Sequence, residues 1–194
     1  MSPLRFALLA MLSAGPHTGY DLLRIFDRSV GNVWHAPHTQ IYPELRRMEA
    51  DGQIAGTDVP RGPKGSKREY RITDAGRATL RELASTPVEP AREKDPYRLK
   101  AAYLEWADPV GARTQFDLHI AHYERWLGAW EQMAARLRDR SDPVLAERLA
   151  GRPADEHELI VAAKVLAYEG LIDRARMEIA WARRGLALVD RLSA

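Results

Sequence analysis

The sequence predicts a mainly α-helical protein in two parts. Three helices, a β-hairpin and a fourth helix come first, and long helices follow. Apolar residues recur at helical spacing along most of the chain, and they alternate instead only between residues 54 and 73. Residues 85–96 hold three prolines and almost no apolar side chains, a composition typical of a linker. We therefore expect an N-terminal domain at 1–85, a linker at 86–95 and an all-α domain at 96–194.

The composition is that of an ordinary globular protein. Of 194 residues, 45% are hydrophobic and 29% are charged. No run approaches the roughly 18 apolar residues that span a bilayer, and the short apolar stretch 6–12 lacks the features of a secretory signal. The absence of cysteine excludes disulfides, thiolate catalysis and cysteine zinc sites. We expect a cytoplasmic protein that does not enter a membrane.

Three helices are predicted within the first fifty residues. The first begins at Ser2-Pro3, where serine can cap and proline suits the first turn, and it stops at Gly15-Pro16. Thr18 can cap the second helix, which ends at Gly31-Asn32. The third runs from about residue 39 to 51. Its apolar stripe consists of Ile41, Leu45 and Met48.

A β-hairpin and a fourth helix follow. Ile54 to Val59 and Lys67 to Thr73 form the two strands, and the turn between them is rich in glycine, proline and positive charge. Thr73 can cap a helix over residues 74–84. The basic residues of this region are Arg61, Lys64, Lys67, Arg68 and Arg71. Such a cluster attracts phosphate, although its charge alone is also compatible with a solvated loop.

Three helices followed by a basic hairpin are typical of a winged helix-turn-helix. In that arrangement the third helix fits the major groove and presents side chains to base edges. The hairpin tip then reaches the neighbouring backbone or minor groove, where phosphates favour Lys and Arg. The N-terminal domain is therefore predicted to bind double-stranded DNA.

Three segments carry distinctive motifs: Q-I-Y-P-E-L-R-R-M-E-A-D-G-Q-I at 40–54, G-Y-D-L at 19–22 and R-E-Y-R-I-T-D-A-G at 68–76. Together they resemble the PadR family of transcriptional regulators. The resemblance covers residues 4–84, and it departs from the family at Thr39, where glycine is common, and at Met48, where leucine is usual. It implies a homodimeric repressor that binds a palindromic operator and is released by a small molecule.

The candidate DNA contacts lie on the third helix and on the wing. The start of a recognition helix usually meets the bases, and arginines further along can reach phosphate. The candidates on the helix are His38, Thr39, Gln40, Tyr42, Arg46 and Arg47. The candidates on the wing are Arg61, Lys64, Lys67 and Arg68. Two roles are open for Tyr42, which can bind phosphate through its hydroxyl or wedge the helices together, and Tyr70 is assigned to the core.

The C-terminal part is expected to make the protein a dimer. Helices are predicted at about 96–106, 110–139, 143–150 and 155–192, and two of them carry apolar residues at alternating steps of four and three. The last helix would be ~57 Å long, longer than a small domain, so part of its stripe should meet another chain. An intrachain bundle is the alternative. The predicted interface residues are Phe116, Tyr123, Trp130, Val165, Tyr168, Ile172, Ile179 and Leu186.

Aromatic residues of the C-terminal part are explained most simply by core and dimer packing, and the alternative is an apolar, aromatic-lined effector pocket at the junction of the two domains. The pocket candidates are Trp106, Trp126 and Trp181. His119 and His122 are spaced i, i+3, but no third metal ligand is suggested by the spacing, so we expect ordinary interface histidines. We predict no metal, cofactor or catalytic residue. The hypotheses are a DNA-binding regulator, a winged-helix protein-interaction module and a small helical enzyme, with the first favoured.

Overall fold

A computed structural model describes residues 2–30, 37–60, 65–90 and 94–193. The chain divides into two compact units, and each contains two separate stretches of sequence. The first unit comprises residues 1–88 and 140–161, and the second comprises 89–139 and 162–194. The sequence had assigned all residues from 96 onwards to one domain, so the return of residues 140–161 to the first unit is a correction.

The first unit is a helical bundle with one small sheet, and its elements follow the predicted order. Its helices are α1 (Pro3–Leu12), α2 (Gly19–Ile25), α3 (Ile41–Ala50), α4 (Asp74–Ser85) and α7 (Pro143–Ala150). Its strands are β1 (His17–Thr18), β2 (Ile54–Pro60) and β3 (Ser66–Ile72). A π turn at Phe26–Val30 extends α2, and 3-10 turns at His38–Gln40 and Ala154–Glu156 precede α3 and the long helix α8 (His157–Ser193).

The sheet is antiparallel in the order β1-β3-β2. Ile54 lies opposite Ile72 and His17 lies opposite Tyr70, so the hairpin is joined to the start of α2 through β1. The sequence did not predict β1, because two residues are too few to show an alternating pattern. Tyr70 and Ile72 point into the core, as expected. The largest fully buried side chains of this core are Leu8, Leu9, Leu12, Leu22, Phe26, Ile41, Leu45, Met48 and Ile54.

The predicted caps of the first unit are present. Ser2 accepts from the amide of Arg5, and Thr73 accepts from that of Gly76. Thr18 and Asp21 form a reciprocal capping box at α2, a motif that satisfies two otherwise unpaired amides. These local bonds explain why the starts of α1, α2 and α4 could be predicted from sequence.

α7 is an integral part of the first unit. Leu145 and Leu149 are buried, and Arg148 donates to the carbonyl of Ala10 at the end of α1 over 3.3 Å. The backbone of Gly151 passes so close to Ala14 that a Cβ would lie 2.5 Å from its carbonyl oxygen. No sequence pattern indicated this packing, since the period of α7 identifies a helix but not its neighbour.

The second unit is built from α5 (Pro96–Ala101), α6 (Pro109–Arg138) and the greater part of α8 (His157–Ser193), with a 3-10 turn at Leu104–Trp106. Ion pairs join Arg113 to Asp190, Glu124 to Arg183, Glu131 to Arg176 and Arg138 to Glu169. The residue numbers rise along α6 as they fall along α8, so the two helices run antiparallel. Exposed ion pairs of this kind contribute little to stability, but they show how α6 and α8 are aligned.

The stripe that we predicted as a dimer interface is instead used within the chain. Phe116, Trp130, Val165, Tyr168, Ile172 and Ile179 are all buried in a single copy, and Tyr123 and Leu186 are partly buried. The 3.5-residue period was read correctly, because it describes helices packed along their length. The period does not reveal which helix is the partner, and here the intrachain alternative is the correct one for these residues.

Candidate nucleic-acid interface

The third helix of the first unit has one buried face and one exposed face. Ile41, Leu45 and Met48 are fully enclosed, and they fix the helix against the core. The opposite face carries Tyr42 and Arg46 into solvent. A helix that is held by its apolar stripe and free along its polar face has the form needed to enter a major groove.

A buried carboxylate clamps α3 to α1. Glu44 is buried, and its two oxygens accept from Arg5 Nε over 2.7 Å and from Arg47 Nη1 over 2.6 Å. Arg5 also pairs with Asp51 over 2.8 Å, so it contacts both ends of α3. The pKa of Arg5 is raised above its ordinary value, mainly because its side chain is hydrogen-bonded to Glu44. These contacts hold the orientation of the third helix.

The two arginines predicted on this helix differ in their surroundings. The guanidinium of Arg47 is engaged by Glu44, although most of its side chain is exposed. Arg46 is exposed, and no carboxylate within the described part of the chain lies at ion-pair distance from it. Arg46 is therefore the better placed of the two to neutralise a phosphate.

The start of the recognition helix is polar and open. His38, Thr39 and Gln40 form the 3-10 turn before α3, and all three are exposed. His38 Nε2 lies 2.7 Å from Asp27 Oδ1, so that imidazole already has a partner. Thr39 and Gln40 are the residues of this turn that remain open to a base edge.

Tyr42 packs between the second and third helices. A Cβ placed on Gly19 would lie 2.5 Å from Tyr42 Cε1, so the ring occupies the space that the glycine leaves free. The side chain is nevertheless 44% exposed. This geometry favours the wedge interpretation of Tyr42, while leaving its outer edge on the candidate DNA surface.

Arg68, on the wing, does not have the surroundings that its predicted role requires. Arg68 was predicted to meet DNA, but its Nη2 donates to Glu49 over 2.6 Å and its Nη1 lies 3.2 Å from Asp58. Glu49 also accepts from the amide of Gly56. These donors, Arg68 first, lower the pKa of Glu49. Arg68 thus fastens the hairpin to α3. Lys67 is exposed, whereas Arg61 and Lys64 lie outside the described residues.

The three candidate pocket tryptophans do not lie together. Trp106 and Trp181 line a cavity of about 450 Å³ that lies wholly within the second unit. Trp126 is not part of its lining and stacks instead on Trp130, with ring centres 5.7 Å apart. The cavity also differs from our expectation of a pocket at the domain junction. Its remaining lining includes Tyr97, Tyr103, Phe116 and His119.

His119, which the sequence assigned to an interface, is buried within the single chain. Its Nε2 lies 3.0 Å from Glu178 Oε2, and both side chains are buried. Within the part of the chain that has coordinates, no group of three or more histidine or acidic side chains is placed to hold a metal ion. No helix there is long and apolar enough to cross a membrane.

A three-helix unit with an open third helix, followed by a two-stranded hairpin, is a winged helix-turn-helix. Residues 8–82 match the Transcriptional regulator PadR-like family. The chain thus carries a PadR-like domain. It is homologous to Bacillus subtilis "Negative transcriptional regulator PadR", at 27% identity over 98% of this chain and 100% of the relative.

Solved structures share this fold along nearly the whole chain. Bacillus subtilis PadR in complex with operator DNA superimposes with a TM-score of 0.78 at 24% identity, covering 97% of this chain and 98% of that one. The same protein in complex with p-coumaric acid gives a TM-score of 0.69 at 24% identity, covering 96% and 98%. These similarities extend the shared architecture beyond the winged domain into the C-terminal helices.

Proposed function

We propose that this protein is a sequence-specific DNA-binding repressor that acts as a homodimer on a palindromic operator. The observation that carries the proposal is the open polar face of α3, held from behind by a buried apolar stripe and by the clamp at Glu44. Thr39 and Gln40 would read bases, and Arg46 and Lys67 would contact phosphates. The Bacillus subtilis relative, which is named a negative regulator, supports repression rather than activation.

The homodimer is supported by a second stripe on α8. Beside the buried stripe lies a row of residues with the same alternating steps of three and four, and all its members are exposed in the single chain. They are Ala163, Leu166, Gly170, Asp173, Met177 and Ala180. Leu166 is 69% and Met177 is 49% exposed. A row of small and apolar side chains with one polar position is typical of a helix surface that packs against a second helix. We therefore assign this face of α8 to the interface with the second copy.

A dimer also explains how one small module could be selective. Specific binding typically exceeds nonspecific binding by roughly 4–10 kcal/mol, which is more than a few base contacts supply. Two copies related by a two-fold axis read two half-sites about one helical turn apart. We further propose that a small molecule releases the protein from DNA. The proposal includes a cytoplasmic location and no enzymatic activity.

The test is fluorescence anisotropy on DNA from upstream of the protein's own gene, with scrambled DNA of equal length as the control. Measurements at about 50 and 200 mM salt separate specific from purely electrostatic binding. Arg46→Ala should weaken operator binding and reduce the salt slope by about one phosphate contact. Arg125→Ala, an exposed arginine of the second unit, is the matched control and should leave both unchanged.

Two outcomes would contradict the proposal. The first is equal and weak binding to both DNAs that is lost at the higher salt. If DNA from the remaining intergenic regions gives the same result, the protein is a winged-helix module that binds a protein partner. An equal loss of affinity in Arg46→Ala and Arg125→Ala would show that α3 is not the reading helix.

A further inference from the structure

The outer half of the wing is not held by the core of the first unit. The base of the hairpin is held there, because Ile54, Tyr70 and Ile72 are buried. Beyond the paired residues Gly56 and Tyr70, none of the described hairpin residues is buried. A two-stranded hairpin is only marginally stable by itself in water. The position of the outer half must therefore be set by contacts other than apolar packing.

One carboxylate of the recognition helix makes such contacts with both strands. Glu49 lies in the last turn of α3, and its Oε1 accepts from the amide of Gly56 in β2 over 2.9 Å. Arg68 in β3 donates to the same carboxylate, from Nη2 to Oε1 over 2.6 Å and from Nε to Oε2 over 3.3 Å. β2 is the edge strand of the sheet, so its outward amides have no strand partner, and Glu49 accepts from one of them.

The space around this carboxylate leaves no room for a side chain at position 56. A Cβ at Gly56 would lie 2.4 Å from Arg68 Nε and 2.5 Å from Glu49 Oε1. A second carboxylate, that of Asp58, lies 3.2 Å from Arg68 Nη1, and the two residues are opposite each other in the hairpin. The guanidinium of Arg68 is thus fixed from α3 and from β2 together.

The contact sets a position more than it stabilises the fold. The side chains of Glu49 and Arg68 are 27% and 43% exposed, and ion pairs with that much access to water contribute little to the free energy of unfolding. A two-pronged arginine–carboxylate pair is nevertheless directional. Glu49 lies three positions after Arg46 on α3, and Arg68 is next to Lys67 on β3. The pair therefore joins the two segments that carry the proposed phosphate contacts.

We propose that Glu49 is a positioning residue for DNA binding, which holds the wing against the recognition helix so that Arg46 and Lys67 meet the operator as one preformed surface. A wing without this contact would have to be ordered when DNA binds, and that cost lowers the affinity. Arg68 is occupied by Glu49 and supplies no phosphate contact. The effect on operator affinity rests on the proposed function, whereas the ordering of the wing by Glu49 does not.

The first test is fluorescence anisotropy with the Glu49→Gln variant on DNA that the wild type binds selectively. The substitution removes a negative charge beside a polyanion, so electrostatics alone would strengthen binding. Loss of the contact should instead weaken binding by about fivefold. Glu69→Gln is the matched control, because it removes the same charge from a β3 residue that forms no ion pair within the described part of the chain. Stronger binding by Glu49→Gln, or an equal change in both variants, would overturn the proposal.

A second variant disturbs the contact without changing any charge. Gly56→Ala places a methyl group between Glu49 and Arg68, and both side-chain ends can move aside, so the fold should persist. Its operator affinity should fall about as far as that of Glu49→Gln. Gly128→Ala is the control, because a Cβ there meets nothing within 4 Å. An unchanged affinity in Gly56→Ala, with circular dichroism confirming that both variants are folded, would contradict the positioning role.

Double-mutant cycles show whether the wing alone is affected. Lys67→Ala should weaken operator binding about fivefold in the wild type but less than about twofold in Glu49→Gln, since the wing no longer holds this lysine at its phosphate. Arg46→Ala, on the helix itself, should cost the same in both backgrounds. An undiminished cost of Lys67→Ala would refute the proposal. So would an equal reduction in the cost of Arg46→Ala, because Glu49 would then act on the whole module.

Amide hydrogen exchange on the free protein separates this proposal from the proposed function. The amides bonded between β2 and β3 beyond Gly56 should exchange about fivefold faster in Glu49→Gln, while those of α1 should not change. Unaltered exchange in the hairpin would overturn the positioning role even if the wild type selects its operator. Faster exchange in a protein that selects no DNA would refute the proposed function and retain the ordering of the wing by Glu49.

Discussion

At the scale of single residues, charged side chains with the same sequence signature have different tasks. Arg46 and Arg68 both lie in basic, surface-facing segments, and both were predicted to meet DNA. The structure leaves Arg46 open and ties Arg68 to Glu49 and Asp58. The distinction depends on which carboxylates the fold brings near, and those lie 19 and 10 positions away in the chain. The sequence identified the basic surface, but it did not show which of its residues are free to contact DNA and which form ion pairs within the fold.

The clamp at Glu44 gives the first prediction. Glu44→Gln removes the charge that two guanidinium groups share, and it should lower the free energy of unfolding by about 2–3 kcal/mol, less than a wholly buried pair because Arg5 keeps some access to water. Urea denaturation measures this change. Glu158→Gln, which removes an exposed partner of Arg140, is the control and should cost under about 1 kcal/mol. Equal costs would show that the clamp does not stabilise the fold.

At the scale of elements, helices were predictable wherever a cap and an apolar period coincide. Thr18 and Thr73 each start a helix with a side-chain bond that involves only local residues. The neighbours of a helix were not predictable, because they depend on distant contacts. For this reason the stripes on α6 and α8 were read as a dimer seam, although they pack within the chain, and α7 was assigned to the wrong unit.

The close approach of α6 and α8 leads to a paired prediction. A Cβ at Gly185 would lie 2.4 Å from the buried ring of Phe116, whereas one at Gly128 would meet nothing within 4 Å. Gly185→Ala should therefore destabilise by about 1–2 kcal/mol through overpacking. Gly128→Ala should stabilise by about 0.5–1 kcal/mol through helix propensity. Thermal unfolding followed by circular dichroism distinguishes them, and shifts of the same sign would show that the helices are not in contact at Phe116.

At the scale of the whole molecule, the outward stripe of α8 predicts the assembly. Leu166→Glu places a charge in the middle of the proposed seam and should convert the dimer to a monomer in sedimentation experiments. Val88→Glu is the control, because Val88 is equally exposed but lies outside the helices. A wild-type protein that sediments as a monomer at micromolar concentration would rule out the seam, and so would a Leu166→Glu variant that remains a dimer.

Carboxylates in both units predict acid sensitivity. The hydroxyl of Thr18 is the main cause that lowers the pKa of Asp21, Arg68 lowers that of Glu49, and the amide of Arg98 lowers that of Asp95. Groups whose folded-state pKa is depressed stabilise the protein above their unfolded pKa, near 4 for Asp and Glu. The melting temperature should therefore fall as the pH drops from about 5 towards 3.

Asp21→Asn tests one of the local contributions to this acid sensitivity. It should lower the melting temperature at pH 7, and the difference from wild type should shrink as the pH approaches about 3, where Asp21 itself becomes neutral. Asp117→Asn, an exposed position on α6, should show no such convergence. A difference from wild type that stays constant over this range would mean that Asp21 is not held as a carboxylate by Thr18.

The return of residues 140–161 to the first unit has a consequence for how the protein is made. Leu145 and Leu149 of α7 are buried, and they belong to a unit whose other stretch of sequence is residues 1–88. On a translating ribosome, the first unit therefore cannot be completed until the whole of α6 has been synthesised and α7 has emerged. A gene fragment that ends at the proline-rich segment would lack this last piece of the first unit.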